Sequence, residues 1–210
     1  MTPGPTLERP VIDGPAGRLE ALVEDSGAPG DCYAVLCHPH PLFGGTMDNK
    51  VVSTLARAMR DVGIPSLRFN FRGVGASAGV FDEGRGETQD ADAAATWGAG
   101  RWSGRQLILA GFSFGAYVAL RLATRRPTSR LVTIAPPVQR FDFSDMAIPT
   151  CPWLIVQGGS DEVVDPRAVF EWAGGLKPKP QLIVMPDVGH FFHGRLNELR
   201  DAVVGAMRNG

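Results

Sequence analysis

Leu107-Ile-Leu-Ala-Gly111-Phe112-Ser113-Phe114-Gly115-Ala-Tyr-Val-Ala-Leu-Arg-Leu-Ala123 opens as a short apolar run and closes as a pattern rich in Ala and Leu. The run Leu107 to Ala110 suits a buried strand, and the second half suits a helix. Between them sits Gly-x-Ser-x-Gly, which places a serine on a tight turn from strand to helix. Gly111 and Gly115 lack a Cβ, so strand and helix can approach closely around the turn. The Ser113 hydroxyl is thereby pushed out at the top of a sheet. The Phe114 N–H falls at a helix start, where backbone donors have no intrahelical partner.

On the N-terminal side, residues 1–6 read as a loose tail and Leu7–Ile12 as a first edge strand stopped by Asp13-Gly14-Pro15. Arg18–Glu24 reads as a second strand, and the short spacing predicts an antiparallel start to the sheet. Cys32–Cys37 is a central strand that runs into His38-Pro39-His40-Pro41-Leu-Phe-Gly-Gly45, where the prolines forbid strand or helix. Thr46 is a candidate cap for a helix from Met47 to Val62. Ser66–Phe71 is the next strand, followed by the glycine-rich loop Arg72–Gly79 and a helix from Glu87 to Gly98. That loop is a weak match to a phosphate cradle and reads better as a flexible connection.

Beyond the serine turn, Arg130–Ala135 and Trp153–Gln157 are strands separated by the irregular stretch Val138–Ile148. Asp165-Pro166 has the cap-then-proline signature of a helix start. Gln181–Met185 is the last strand, and Gly194 to Met207 the last helix. Strands alternating with helices predict a mostly parallel sheet of about eight strands, with helices on both faces in a three-layer sandwich. Residues 1–210 read as one domain.

The composition excludes several function classes. With 21 Lys+Arg against 22 Asp+Glu the chain carries no basic footprint for nucleic acid or an acidic membrane surface. Cys32, Cys37 and Cys151 are scattered and odd in number, which fits free thiols. No basic-then-apolar leader and no long apolar run are visible, so a cytoplasmic location without a membrane span is expected. Oligomeric state is not legible.

An open parallel sheet collects its reactive groups in the loops beyond the carboxyl ends of its strands. Ser113 follows one strand, Asp161 follows Trp153–Gln157 in Gly158-Gly-Ser-Asp161, and His190 follows the last strand in Pro186-Asp-Val-Gly-His190. A serine hydroxyl needs a neutral imidazole to take its proton, and the imidazole needs a carboxylate to fix its tautomer. Glu162 and Asp165 compete with Asp161, although Asp165 suits a helix cap. His193 competes with His190, but would sit at a helix start. The oxyanion formed by attack needs two donors. Phe114 N–H is one, and the backbone N–H of His40, after the Cys32–Cys37 strand, is the candidate for the other.

With these residues assembled, the chain resembles an α/β-hydrolase over essentially its whole length. The order Ser113, Asp161, His190 is the triad order of that superfamily. His38-Pro39-His40-Pro41 resembles its His-Gly-x-Pro oxyanion loop, with Pro39 in place of Gly. Asp161-Glu-Val-Val resembles its Asp-x-x-Val acid loop, and Gly189-His190 its Gly-His base loop. More narrowly, the His-Pro-His-Pro-Leu-Phe-Gly-Gly stretch with Phe69-Asn-Phe-Arg-Gly-Val-Gly75 is similar to a group of small bacterial α/β-hydrolases. The resemblance implies the fold and an esterase-like chemistry, and it implies no substrate. The residues themselves read as a serine hydrolase cleaving a small acyl ester through an acyl-enzyme, with no cofactor and no metal.

Three rival readings stand beside it. A thioesterase or peptidase-like amidase would use the same triad. A metallohydrolase is suggested by the paired histidines His38/His40 and His190/His193, but leaves the serine turn unexplained. A non-catalytic binding module would leave all three residue types unexplained. The interval between Ala135 and Trp153, with Pro136, Pro137 and Pro149, is too short and broken for a lid domain. Phe141, Phe143 and Met146 are expected either to cover the cleft rim or to pack against the sheet edge. Short or medium acyl esters are therefore the expected substrates.

Overall fold

Nine strands form one mixed sheet in the computed structural model, which describes residues 6–144 and 146–208. In chain order they are β1 (Thr6–Glu8), β2 (Val11–Gly14), β3 (Gly17–Asp25), β4 (Cys32–Cys37), β5 (Ser66–Phe69), β6 (Gln106–Phe112), β7 (Arg130–Ile134), β8 (Trp153–Gly158) and β9 (Gln181–Met185). The helices are α1 (Lys50–Asp61), α2 (Arg85–Arg101), α3 (Phe114–Ala123), α4 (Pro166–Gly175) and α5 (Leu196–Arg208). The sheet order is β1-β3-β5-β4-β6-β7-β8-β9, with β2 paired to β3. From β5 to β9 every neighbouring pair is parallel, and β3 is antiparallel to β1, β2 and β5.

The count of nine, against about eight expected, comes from one residue pair. The expected edge strand Leu7–Ile12 is broken at Arg9-Pro10, because proline has no N–H for the ladder. β1 then pairs with the Val23–Asp25 end of β3, and β2 with the Gly17–Glu20 end. Of the expected loose tail, Thr6 belongs to β1, and residues 1–5 lie outside those described.

Side chains alternate across the sheet and feed two cores. Val35, Cys37, Leu107 and Leu109 face α2, α3 and α4, whereas Ala34, Leu36, Ile108, Ala110 and Phe112 face α1 and α5. The three layers follow from this period of two in strands buried on both faces. Truncating a fully buried residue such as Leu109 would cost ~2–5 kcal/mol.

Two connections differ from expectation, and both lead to the site. Helix α1 starts at Lys50 rather than Met47, because Asn49 Oδ1 accepts the Val51 N–H and Met47 N–H is drawn off to Asn70 Oδ1. Thr46 closes only a local turn with Asp48. The Arg72–Gly79 loop is pinned, not loose. Arg72 is buried and makes a two-pronged ion pair with Asp90, and Ser77 Oγ donates to Asn70 O. Between Ala135 and Trp153 the described residues form neither helix nor strand; Asp145 lies outside them. Phe141 stacks on Tyr117 of α3, and Phe143 packs edge-on to Trp172 of α4. The segment lies against the body as irregular chain, and there is no lid domain.

Candidate active site

The turn between β6 and α3 holds Ser113 at φ 54°, ψ −120°. That is the left-handed side of the map, strained for a residue with a side chain. The strain is held by close packing of backbone on both sides. A Cβ on Gly111 would stand 2.1 Å from Gly115 O, and one on Gly115 would stand 2.2 Å from Cys37 O. Only glycine fits at either position. The Ser113 N–H is fixed by Ile134 O at 2.8 Å. Although Ser113 is the N-cap of α3, its side chain makes no capping bond, which leaves Oγ free for another partner.

That partner is His190. Its Nε2 lies 3.1 Å from Ser113 Oγ, and its Nδ1 lies 2.8 Å from Asp161 Oδ2. Asp161 follows β8 and is nearly fully buried, as is His190. The remaining carboxylate oxygen, Oδ1, accepts the N–H groups of Val163 and Val164 at 2.8 and 2.7 Å. Burial alone would push the Asp161 pKa up. The hydrogen bond from His190, the Val164 and Val163 N–H groups and the His190 charge outweigh that and hold it below the usual carboxylate range. With Asp161 ionised, His190 carries its proton on Nδ1 and presents the Nε2 lone pair to the serine. The arrangement can deprotonate Ser113 as it attacks an electrophile and return that proton to a leaving group.

The loop after β4 closes the other side. His38 is fully buried, and its ring nitrogens both serve backbone: Nδ1 lies 2.6 Å from Pro39 O, and Nε2 accepts the Phe71 N–H at 3.0 Å. Burial drives its pKa down to about 4. His40 Nδ1 accepts the Leu42 N–H and so caps the 3₁₀ turn Pro41–Phe43. Its ring stands among Phe43, Phe81 and Phe114, with centroids 4.7, 4.8 and 5.0 Å away. Burial, then the Arg140 charge, lowers its pKa too. Neither the His40 N–H nor the Phe114 N–H makes a hydrogen bond among the described residues. Both are thus available as donors beside the serine. Pro39, where the resembled loop has Gly, is accommodated because Gly45 lies against it: a Cβ there would meet Pro39 O at 2.0 Å.

The competitors take other places. Asp165 Oδ1 caps α4 through the Arg167 N–H. His193 is exposed, with its ring beside Phe191. The imidazole nitrogens of His38 and His190 are all committed, and among the described residues no group of three His, Cys, Asp or Glu stands close enough to hold a metal ion. Cys32, Cys37 and Cys151 are free thiols, and burial raises the pKa of both Cys37 and Cys151. Among the described residues no helix is long and apolar enough to cross a membrane. Glu162, a rival acid in the sequence, and Gln157, which the sequence did not single out, take supporting places. Glu162 Oε2 accepts the His190 N–H at 3.2 Å, and the absent Gly189 side chain makes room for it, since a Cβ there would stand 2.7 Å away. Gln157 Nε2 lies 3.0 Å from Asp161 Oδ2. The Gly-His dipeptide was the sequence signal for the first; the second had none.

Known proteins share this architecture. Residues 31–150 match the X-Pro dipeptidyl-peptidase (S15) family. A crystal structure from Xanthomonas campestris, described as an α/β serine hydrolase without lid, is 45% identical, covers 99% of this chain and 95% of its own, and superposes with a TM-score of 0.91. An α/β serine hydrolase homologue from Coxiella burnetii is 43% identical, with 98% and 97% covered and a TM-score of 0.88. An uncharacterised protein of Rickettsia prowazekii is 36% identical over 202 residues, 91% of this chain and 85% of that one. By its fold and by these relatives, the chain is an α/β serine hydrolase and belongs to the S15 family.

Proposed function

We propose that the chain is a carboxylesterase-like enzyme that cleaves short or medium acyl esters. The observation that carries the proposal is the unbroken line from Ser113 Oγ to His190 Nε2, 3.1 Å, and from His190 Nδ1 to Asp161 Oδ2, 2.8 Å. In this reading Ser113 attacks the ester carbonyl and His190 takes its proton. Asp161 holds the imidazole in the right tautomer and offsets the imidazolium charge. The Phe114 and His40 N–H groups receive the oxyanion. His190 then protonates the leaving alcohol, and a water deprotonated by His190 releases the acid from Ser113.

The surroundings support an apolar acyl group. Leu42, Phe43, Val80 and Phe191 are exposed large hydrophobic residues on the loops after β4, β5 and β9. Phe43 stands beside the His40 ring and Phe191 beside the His190 ring; against exposed side chains each added methylene gains at most ~0.8 kcal/mol, so long chains gain little further. The S15 match favours a second reading, a peptidase acting on X-Pro peptides with the same three residues. A panel of p-nitrophenyl esters of increasing length, with thioester, amide and X-Pro p-nitroanilide analogues alongside, separates the two. The ester reading expects the highest kcat/KM on esters of two to eight carbons, an order-of-magnitude range set by the small gain per methylene. Faster X-Pro anilide turnover would replace it with the peptidase.

A further inference from the structure

Gln157 lies at the carboxyl end of β8 and has no exposed surface. Its Nε2 donates to Asp161 Oδ2 at 3.0 Å and to its neighbour Gly158 O at 3.2 Å, while Oε1 accepts no hydrogen bond among the described residues. Chemistry fixes the amide's direction: turned over, Oε1 would press against a carboxylate oxygen. A core position that only needed filling would suit leucine or methionine better than an amide with one half unpaired. The half that is paired meets the same oxygen that receives the His190 Nδ1–H. Asp161 Oδ1 is already held by Val163 and Val164, so Gln157 completes the fixation of the carboxylate.

We propose that Gln157 is a positioning residue for the Asp161–His190 pair, fixing Oδ2 towards the imidazole and drawing off part of its charge. The inference rests on the reading of Ser113, His190 and Asp161 as the reacting groups. A buried carboxylate stripped of one donor becomes more basic and favours the imidazolium, which removes the free base that Ser113 needs. Other charged groups lie on the segments packed around the pair. Glu162 accepts the His190 N–H, Arg140 donates to Val163 O from the segment after β7, and Asp187 sits in the turn after β9 beside Gly159. None of them hydrogen-bonds Gln157.

The test is the pH dependence of kcat and kcat/KM on a soluble p-nitrophenyl ester for the wild type, Gln157→Leu and Gln157→Glu. The rate of fluorophosphonate labelling is measured in parallel, with Ser113→Ala as control. Gln157→Leu is expected to move the acidic limb of kcat/KM upward by ~0.5–1 pH unit and lower kcat about tenfold near neutrality, with KM little changed. Gln157→Glu is expected to track the wild type at low pH, where a protonated carboxyl donates as the amide does. It should fall away as pH rises, since two adjacent carboxylates resist ionising together. A Gln157→Leu profile superimposable on the wild type overturns the proposal. If that variant does not fold, a Gln157→Glu to wild-type ratio that is flat with pH overturns it equally. Loss of Ser113 labelling in the wild type would instead strike the triad reading itself, so the two failures are distinguishable.

Discussion

The chain has two loops that each carry a pair of histidines, and the two loops put a buried imidazole to opposite uses. His38 and His190 are both almost wholly buried. Both have each ring nitrogen in a hydrogen bond. His38 is bonded to the Pro39 carbonyl and the Phe71 N–H, so its proton has nowhere to go, and burial lowers its pKa to about 4. His190 is bonded to a carboxylate and a hydroxyl, partners that can hold a tautomer on one side and exchange a proton on the other. Burial does not distinguish structural from reactive histidine here; the chemistry of the two partners does.

The sharpest way to break this contrast is to remove each imidazole. His190→Ala should lower kcat by on the order of 10⁶ while leaving thermal stability near that of the wild type. His38→Ala should behave the other way. It would unfold at a lower temperature, with the Phe71 N–H and Pro39 carbonyl unpaired, yet retain fluorophosphonate labelling wherever it is folded. Equal losses of activity per folded molecule would erase the distinction. Next in size, Asp161→Asn should lower kcat by about 10⁴, because the amide stabilises the wrong tautomer and supplies no charge. Asp165→Asn should stay within about 0.5 kcal/mol in stability and near wild type in rate, since Asn also caps helices. The reverse ranking would move the acid to Asp165.

A subtler effect than loss of either catalytic partner is a pH signature of His38. Its folded pKa, about 4, lies below the ordinary value of 6.5, so the unfolded chain binds a proton first as pH falls. Its contribution is intact above pH 6.5, declines between 6.5 and about 4, and is then spent. Over that window it amounts to ~3 kcal/mol. Urea unfolding of the wild type and His38→Gln at several pH values should show the gap between them closing by about that amount as pH drops. A gap independent of pH would mean that His38 is not held neutral.

What was legible in the sequence follows from range. The Gly111-x-Ser113-x-Gly115 turn and the Asp165-Pro166 helix start are local geometry, written in consecutive residues, and they came out as read. So did the two-sided sheet, because β6 and β8 carry the apolar runs Leu107–Ala110 and Trp153–Val156 and are buried over nearly their whole length. The proline-marked loop after β4 ends the strand as expected but is not free of helix: Pro41 opens the 3₁₀ turn Pro41–Phe43, since a first helical position needs no N–H. Elements misjudged at their edges depended on partners far along the chain. Met47 is diverted by Asn70, and the Arg72 loop is tied down by Asp90. Pro10 splits what an apolar count joins. Gln157 and Glu162 have ordinary neighbours in sequence, and their importance comes from where Asp161 and the His190 loop meet in space.

The central claim is that Ser113 is the nucleophile that His190 activates. Incubation with a fluorophosphonate, followed by proteolysis and mass mapping of the adduct, tests it most directly. The account predicts one stoichiometric adduct on the peptide carrying Ser113. Labelling should be absent in Ser113→Ala. A stoichiometric adduct on any other residue, or undiminished ester turnover by Ser113→Ala, would contradict it.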